Sequence, residues 1–175
     1  AANGLTNYWG YSPFAFFAPH APYAADEDPR REFRDLVKAL HAADIGVILD
    51  IVLNHTAEGG ADGPVYGFKG FANDTFYILD PEDRARHYDF TGCGNTFNCN
   101  HPFVAEYVLQ CLAYWVREMH VDGFRFDLAS VLSRGEDGAL LERPHVVSSI
   151  EFAEALTGTH LIAEAWDASG LYQVG

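Results

Sequence analysis

Asp127 closes the apolar run Gly123-Phe124-Arg125-Phe126-Asp127, and Glu164 follows a second one, Leu161-Ile162-Ala163. Side chains alternate along a strand, so Arg125 and Asp127 share one face while Phe124 and Phe126 share the other. A permanently charged guanidinium beside Asp127 is expected to lower its pKa and keep it anionic at neutral pH. Glu164 is expected to be able to hold a proton. One ionised and one protonated carboxyl on two strand ends suit cleavage of a glycosidic bond. A third acid, Asp50, lies in Val47-Ile48-Leu49-Asp50-Ile51-Val52-Leu53-Asn54-His55, a β-branched run that turns polar at its end.

Alternating strands and helices must hold these groups. Tyr8 to Phe17 reads as a strand running into a loop at Ser12-Pro13. Asp28-Pro29 opens a helix, with Asp28 as cap and the proline in the first turn. Phe33, Leu36, Val37, Leu40 and Ile45 follow at helical spacing, and Gly46 closes it. The Asp50 run is a buried strand, and residues 56–100 are a long irregular excursion of the kind that usually serves function. Pro102 starts a second helix, with Tyr107, Val108, Cys111, Leu112, Trp115 and Met119 toward the core. The Arg125/Asp127 strand comes next, then a polar loop over 131–145, a third helix over 146–157 and a last strand over 160–166. Apolar strands alternating with amphipathic helices imply a parallel sheet covered by helices. An open doubly wound sheet and a (β/α)₈ barrel both fit. Asp50, Asp127 and Glu164 at successive C-terminal strand ends favour the barrel, where such enzymes build their sites. A complete barrel takes about 250 residues, so the chain is expected to be a fragment holding about strands 2 to 5, with the long insertion after the third barrel strand.

With 175 residues and 49% hydrophobic content, the chain can bury the core of one domain. Its 11 Lys+Arg against 25 Asp+Glu leave a net charge of −14, which argues against nucleic acid as a partner and fits a neutral polymer. No apolar run is long enough to span a bilayer, and the first residues do not read as a signal peptide. Cys111 is expected to be a packed core thiol. Cys93 and Cys99 frame a small loop that a disulfide could close or that could hold two free thiols; zinc fits the spacing poorly.

Three segments together resemble the α-amylase superfamily of glycoside hydrolases. They are Asp50-Ile51-Val52-Leu53-Asn54-His55, Gly123-Phe124-Arg125-Phe126-Asp127, and Glu164 before Ala165-Trp166. Asn7-Tyr8-Trp9-Gly10-Tyr11, Asn54-His55-Thr56-Ala57-Glu58-Gly59, the run from Gly92 to Pro102 and Glu118-Met119-His120-Val121-Asp122-Gly123 narrow the resemblance to isoamylase-type debranching enzymes. The resemblance is nearest to the plant and algal starch isoamylases, and it covers about residues 3–175.

The resemblance implies Asp127 as nucleophile forming a covalent glycosyl intermediate. Glu164 would protonate the leaving oxygen and then deprotonate water, and Arg125 would hold Asp127. Asp50 and His55 would serve the sugar next to the cleaved bond, Asn54 would support the strand end, and Tyr11 would be the stacking platform. It also implies branched α-glucan (amylopectin, glycogen) as partner, no redox cofactor, and assembly with itself or with other isoamylase subunits as an option; no metal ligand is assigned, and calcium stays open. A plant or algal source would place the enzyme in plastids, a bacterial one in the cytoplasm. The family's later His-Asp signature is not in this chain, and Leu132–His160 looks shorter than in plant isoamylases. Two alternatives stand beside this reading. One is another α-amylase superfamily enzyme, either a glycogen debrancher or a transglycosylase. The other is a non-catalytic glucan-binding subunit, against which the presence of Asp127, Glu164 and Arg125 weighs. His87 and His101 are expected to be structural, Asp122 and Asp167 to fix strand ends, Trp166 to line the site, and Tyr8, Trp9, Tyr114 and Trp115 to be core.

Overall fold

The computed structural model describes residues 7–174. Four helices, α1 (Pro29–Ala42), α2 (Phe68–Phe76), α3 (Pro102–Arg117) and α4 (His145–Glu151), accompany three strands. The strands, β1 (Ile48–Ile51), β2 (Gly123–Phe126) and β3 (His160–Ala163), form one parallel sheet in the order β1-β2-β3. Register places Asp50 beside Arg125 and Arg125 beside Ile162. The sheet is the mixed α/β arrangement expected, with one strand fewer. Tyr8–Phe17 forms turns and bends instead. Gly10 takes φ +81 there and closes a turn onto the Asn7 carbonyl, and Pro13 has no N–H to give a ladder.

Local chemistry explains the element ends. The Asp28 carboxylate accepts from the Arg30 and Arg31 N–H groups at 3.2 and 3.1 Å, with Pro29 in the first turn. His101 caps α3 through Nδ1, which accepts from the Phe103 N–H. Asp122 accepts from the Val47 N–H at 2.6 Å and contacts His41 Nε2 at 2.8 Å, so it ties the starts of β1 and β2 together. The core lies between α3 and the sheet, where Val104, Val108, Cys111, Leu112, Trp115, Met119 and Phe124 are buried. Tyr8 and Trp9, by contrast, are 75% and 80% exposed, against the core role expected of them. No strand ladder in that segment turns their rings inward.

The 56–100 excursion is packed and not structureless. It carries α2, kinked at Ala72, and the antiparallel bridges Tyr77–Phe97 and Leu79–His87. Its organising group is Glu58, 1% exposed, whose carboxylate accepts from the N–H groups of Tyr66 (2.6 Å), Gly67 (2.8 Å) and Lys69 (2.9 Å) and from the Tyr77 hydroxyl. Burial works against its charge, but these donors outweigh it and hold the carboxyl below its ordinary pKa. The last expected helix, 146–157, is shorter: α4 stops at Glu151 and a 3-10 turn covers Glu154–Leu156. All three cysteines are free, and burial pushes the Cys99 and Cys111 thiols up to about 12, so both stay protonated at neutral pH.

Candidate active site

The parallel register delivers three acids and one arginine to a single end of the sheet. Asp50 is the third residue of β1, Asp127 follows the last residue of β2, and Glu164 follows the last residue of β3. Arg125 sits among them. Its Nη1 lies 2.9 Å from Asp50 Oδ1 and 3.6 Å from Asp127 Oδ1, and its Nη2 lies 2.6 Å from Glu164 Oε1. One guanidinium therefore touches all three carboxylates, and Asp127 and Glu164 lie on the same face of the sheet. Phe124 and Phe126 are buried on the other, as alternation requires.

Backbone groups fix the pair further. Leu128 adopts a left-handed conformation (φ +43) directly after Asp127, and its N–H donates to Glu164 Oε2 at 2.9 Å. The Ala129 N–H donates to the Glu164 carbonyl at 2.8 Å. Asn54, fully buried, donates through Nδ2 to the Asp127 carboxylate at 2.9 Å and to its carbonyl at 2.8 Å. His55 meets Asn54 Oδ1 at 2.5 Å through Nδ1 and the Tyr11 carbonyl at 2.8 Å through Nε2. Both neighbours are acceptors, so only the imidazolium donates to both, while burial pushes the His55 pKa down. The neutral ring keeps one of the two bonds. Tyr11, in turn, donates its hydroxyl to Asp50 Oδ2 at 2.7 Å, and that bond raises the phenol pKa. The site residues read from the sequence (Tyr11, Asp50, His55, Arg125, Asp127 and Glu164) thus form one connected network.

The electrostatics differ from expectation. Burial raises the Asp127 pKa, with help from the Glu164 charge, and the Asn54 donor and the more distant Arg125 only partly offset it. Glu164 moves the other way. Burial opposes its charge, but the Leu128 N–H, Trp166 and Arg125 together hold it below its ordinary value. The guanidinium was expected to serve Asp127; it sits a full ångström closer to Glu164.

Sequence reasoning did not single out Leu128, Arg134 or the role of Glu58. Asp167 was read correctly as a local anchor: its Oδ1 accepts from the Ser169 N–H and hydroxyl and from the Leu171 N–H. Trp166 stands 37% exposed beside Glu164 and near-parallel to Tyr172. His87 and His101 both make local bonds within the excursion and at the α3 cap. Among the described residues no group of three or more His, Cys, Asp or Glu is arranged to hold a metal ion.

The fold of this chain is shared with solved pullulanases. Type I pullulanase from Bacillus subtilis, crystallised with maltose, superposes with TM-score 0.72 at 30% identity, over 91% of this chain and 21% of that one. The pullulanase from Bacillus acidopullulyticus gives TM-score 0.71 at 30% identity, over 95% and 19%. These neighbours are pullulanases of the α-amylase superfamily.

Sequence relatives narrow the class. Isoamylase 1, chloroplastic, of Arabidopsis thaliana is 47% identical over 194 residues, covering 97% of this chain. A glycogen debranching enzyme of Salmonella heidelberg is 50% identical over 174 residues, covering 98%. The chain is therefore a homologue of the isoamylase and glycogen debranching enzymes, as its motifs indicated. It spans 24% and 26% of the length of these two relatives, about a quarter. No protein-family model matches it.

Proposed function

We propose that the chain is the site-bearing part of a (β/α)₈ catalytic barrel in a retaining hydrolase that cleaves α-1,6 branch linkages in starch or glycogen. β1, β2 and β3 are read as three consecutive staves of that barrel, and the 56–100 excursion as an insertion after the first of them. The observation that carries the reading is the single Arg125 guanidinium in contact with Asp50, Asp127 and Glu164. It confines the two carboxyls needed for double displacement to one small site, where a separation of roughly 5–5.5 Å marks a retaining pair.

Asp127 attacks the anomeric carbon and Glu164 gives a proton to the departing oxygen, then takes one from water. At rest Glu164 is held anionic by the Leu128 N–H and Arg125. A glucan seated against it expels water and favours its neutral form, and the guanidinium is then left to Asp50 and Asp127. Tyr11 holds the sugar beside Asp50, its exposed ring offering its face to the apolar side of glucose. The buried His55, expected from the resemblance to serve the sugar itself, acts through its contact with the Tyr11 carbonyl. A branched α-glucan is the partner. Plastid or cytoplasm follows from the source, in line with the chloroplastic plant relatives and the bacterial ones.

Two measurements on the protein encoded by the complete reading frame test this. Incubation with amylopectin should release linear chains; branched or transferred products would favour another superfamily activity. Asp127→Asn should reduce turnover at least about 10⁴-fold while glucan binding persists. A variant retaining a tenth of wild-type turnover would refute the nucleophile assignment.

A further inference from the structure

Arg134 lies on the segment leaving β2, just after the 3-10 turn Ala129–Ser133, and its side chain is 12% exposed. It reaches the fully buried Asp167 carboxylate with Nη2 at 2.5 Å and Nε at 3.2 Å. Nη2 also donates to Ser169 Oγ at 2.9 Å and Nη1 to the Gly138 carbonyl at 3.1 Å. The guanidinium carbon stands 3.8 Å from the centre of the Phe90 ring. Four placed donor contacts and a ring face leave this planar fork almost no freedom.

The three segments that meet there are those leaving the three strands. Asp167 is three residues past Glu164. Arg134 is seven past Asp127, and its carbonyl accepts from Asn100 Nδ2 at 2.7 Å. Phe90 belongs to the excursion after β1, and its carbonyl accepts from the Ala168 N–H at 3.0 Å. That excursion returns to β1's end, where the Phe97 N–H donates to the Asn54 carbonyl at 2.8 Å and Asn95 exchanges bonds with the Thr56 backbone. Nearer the carboxyls, the exits of β2 and β3 are joined by the Leu128 and Ala129 N–H groups, by the Glu164 N–H on the Phe126 carbonyl at 3.0 Å and by Arg125 Nη2 on Glu164.

We propose that Arg134 is a positioning residue which, through Asp167, holds the Glu164 strand end against the Asp127 strand end in the geometry that cleavage requires. The proposal rests on the debranching reading above and adds a residue to it. Loosening this clasp lets Glu164 drift from the Leu128 N–H. A misplacement of about 1 Å between reacting groups costs about 100-fold in rate.

The test compares wild type with R134M, R134K and the double variant R134M/D167N, all in the protein encoded by the complete reading frame. Turnover and KM are measured on amylopectin, together with Tm and the pH profile of kcat/KM. R134M should lose about 100-fold in kcat with KM within about threefold. Its basic limb should move to higher pH, since Glu164 loses a donor that favours its anion. The double variant removes the unpaired buried charge, so Tm should recover toward wild type while kcat stays low. R134K keeps the charge without the fork and should fall between; it carries the same readouts if R134M does not fold. Two results would overturn the proposal: kcat recovering along with Tm in the double variant, or an unmoved pH limb with wild-type kcat in R134M or R134K. Wild-type protein inert on every branched α-glucan would instead sink the debranching reading.

Discussion

Asn54 shows how much a buried side chain decides at the scale of one residue. Its amide favours the charged form of Asp127, against the burial that raises that carboxyl's pKa. In Asn54→Ala the donor is gone, so Asp127 holds its proton to higher pH. An attacking carboxylate must be ionised, and activity is lost as pH falls through its pKa. The acid limb of kcat/KM should therefore move to higher pH; a limb in its wild-type place would show that Asn54 does not act on Asp127. Asp127, Glu164, Arg125 and Asp50 were legible in the sequence as a group, because alternation and strand order place them at one end of a sheet; His55 joined them only through the family resemblance. Which carboxyl the guanidinium favours was not. Arg125 is equally close in sequence to Asp127 and in register to the β3 exit, and only the rotamer decides.

Elements hold the site by means that spacing conceals. Glu58 organises the loop between β1 and α2 by gathering three backbone N–H groups and a hydroxyl. Glu58→Ala would orphan them and should cost about 3 kcal/mol of stability, read as a lower denaturant midpoint. Its depressed pKa means the contribution is present above the ordinary carboxylate range and fades as pH falls, so the gap between wild type and variant should narrow in acid. A difference that ignores pH would assign the loss to packing instead. The helices α1 and α3 were readable from their proline starts and apolar spacing. The strand expected at Tyr8–Phe17 was not a strand, because aromatic density imitates a buried run while Gly10 and Pro13 break the ladder. The 56–100 excursion read as irregular because its order comes from the carboxylates of Glu58 and Asp89, each gathering backbone N–H groups, and two isolated bridges, none of which leaves a periodic trace.

For the whole molecule, the sheet has two open edges. β1 presents Ile48 at 46% exposure, and β3 presents Leu161 and Ile162 at 41% and 47%. A cavity of about 1030 Å³ beside β1 is lined by Trp9, Tyr11, Leu49, Leu112 and Trp115, and it borders Asp50 without reaching Asp127 or Glu164. A closed barrel would cover such edges; residues 1–175 produced alone should associate through them and show no turnover. Light scattering should find particles larger than a monomer at micromolar concentration. A monodisperse monomer with one cooperative melt would contradict this.

The left-handed turn at Leu128 bears on how this region can drift over generations. The atom that grips Glu164 there is a main-chain hydrogen, which nineteen of the twenty amino acids supply, so exchange of the side chain cannot abolish the grip directly. What selection can act on is backbone angle and fit: β-branched residues resist the twist, glycine accepts it but vacates a packed space. Chemistry at this position is thus guarded by conformation, and only proline removes it outright.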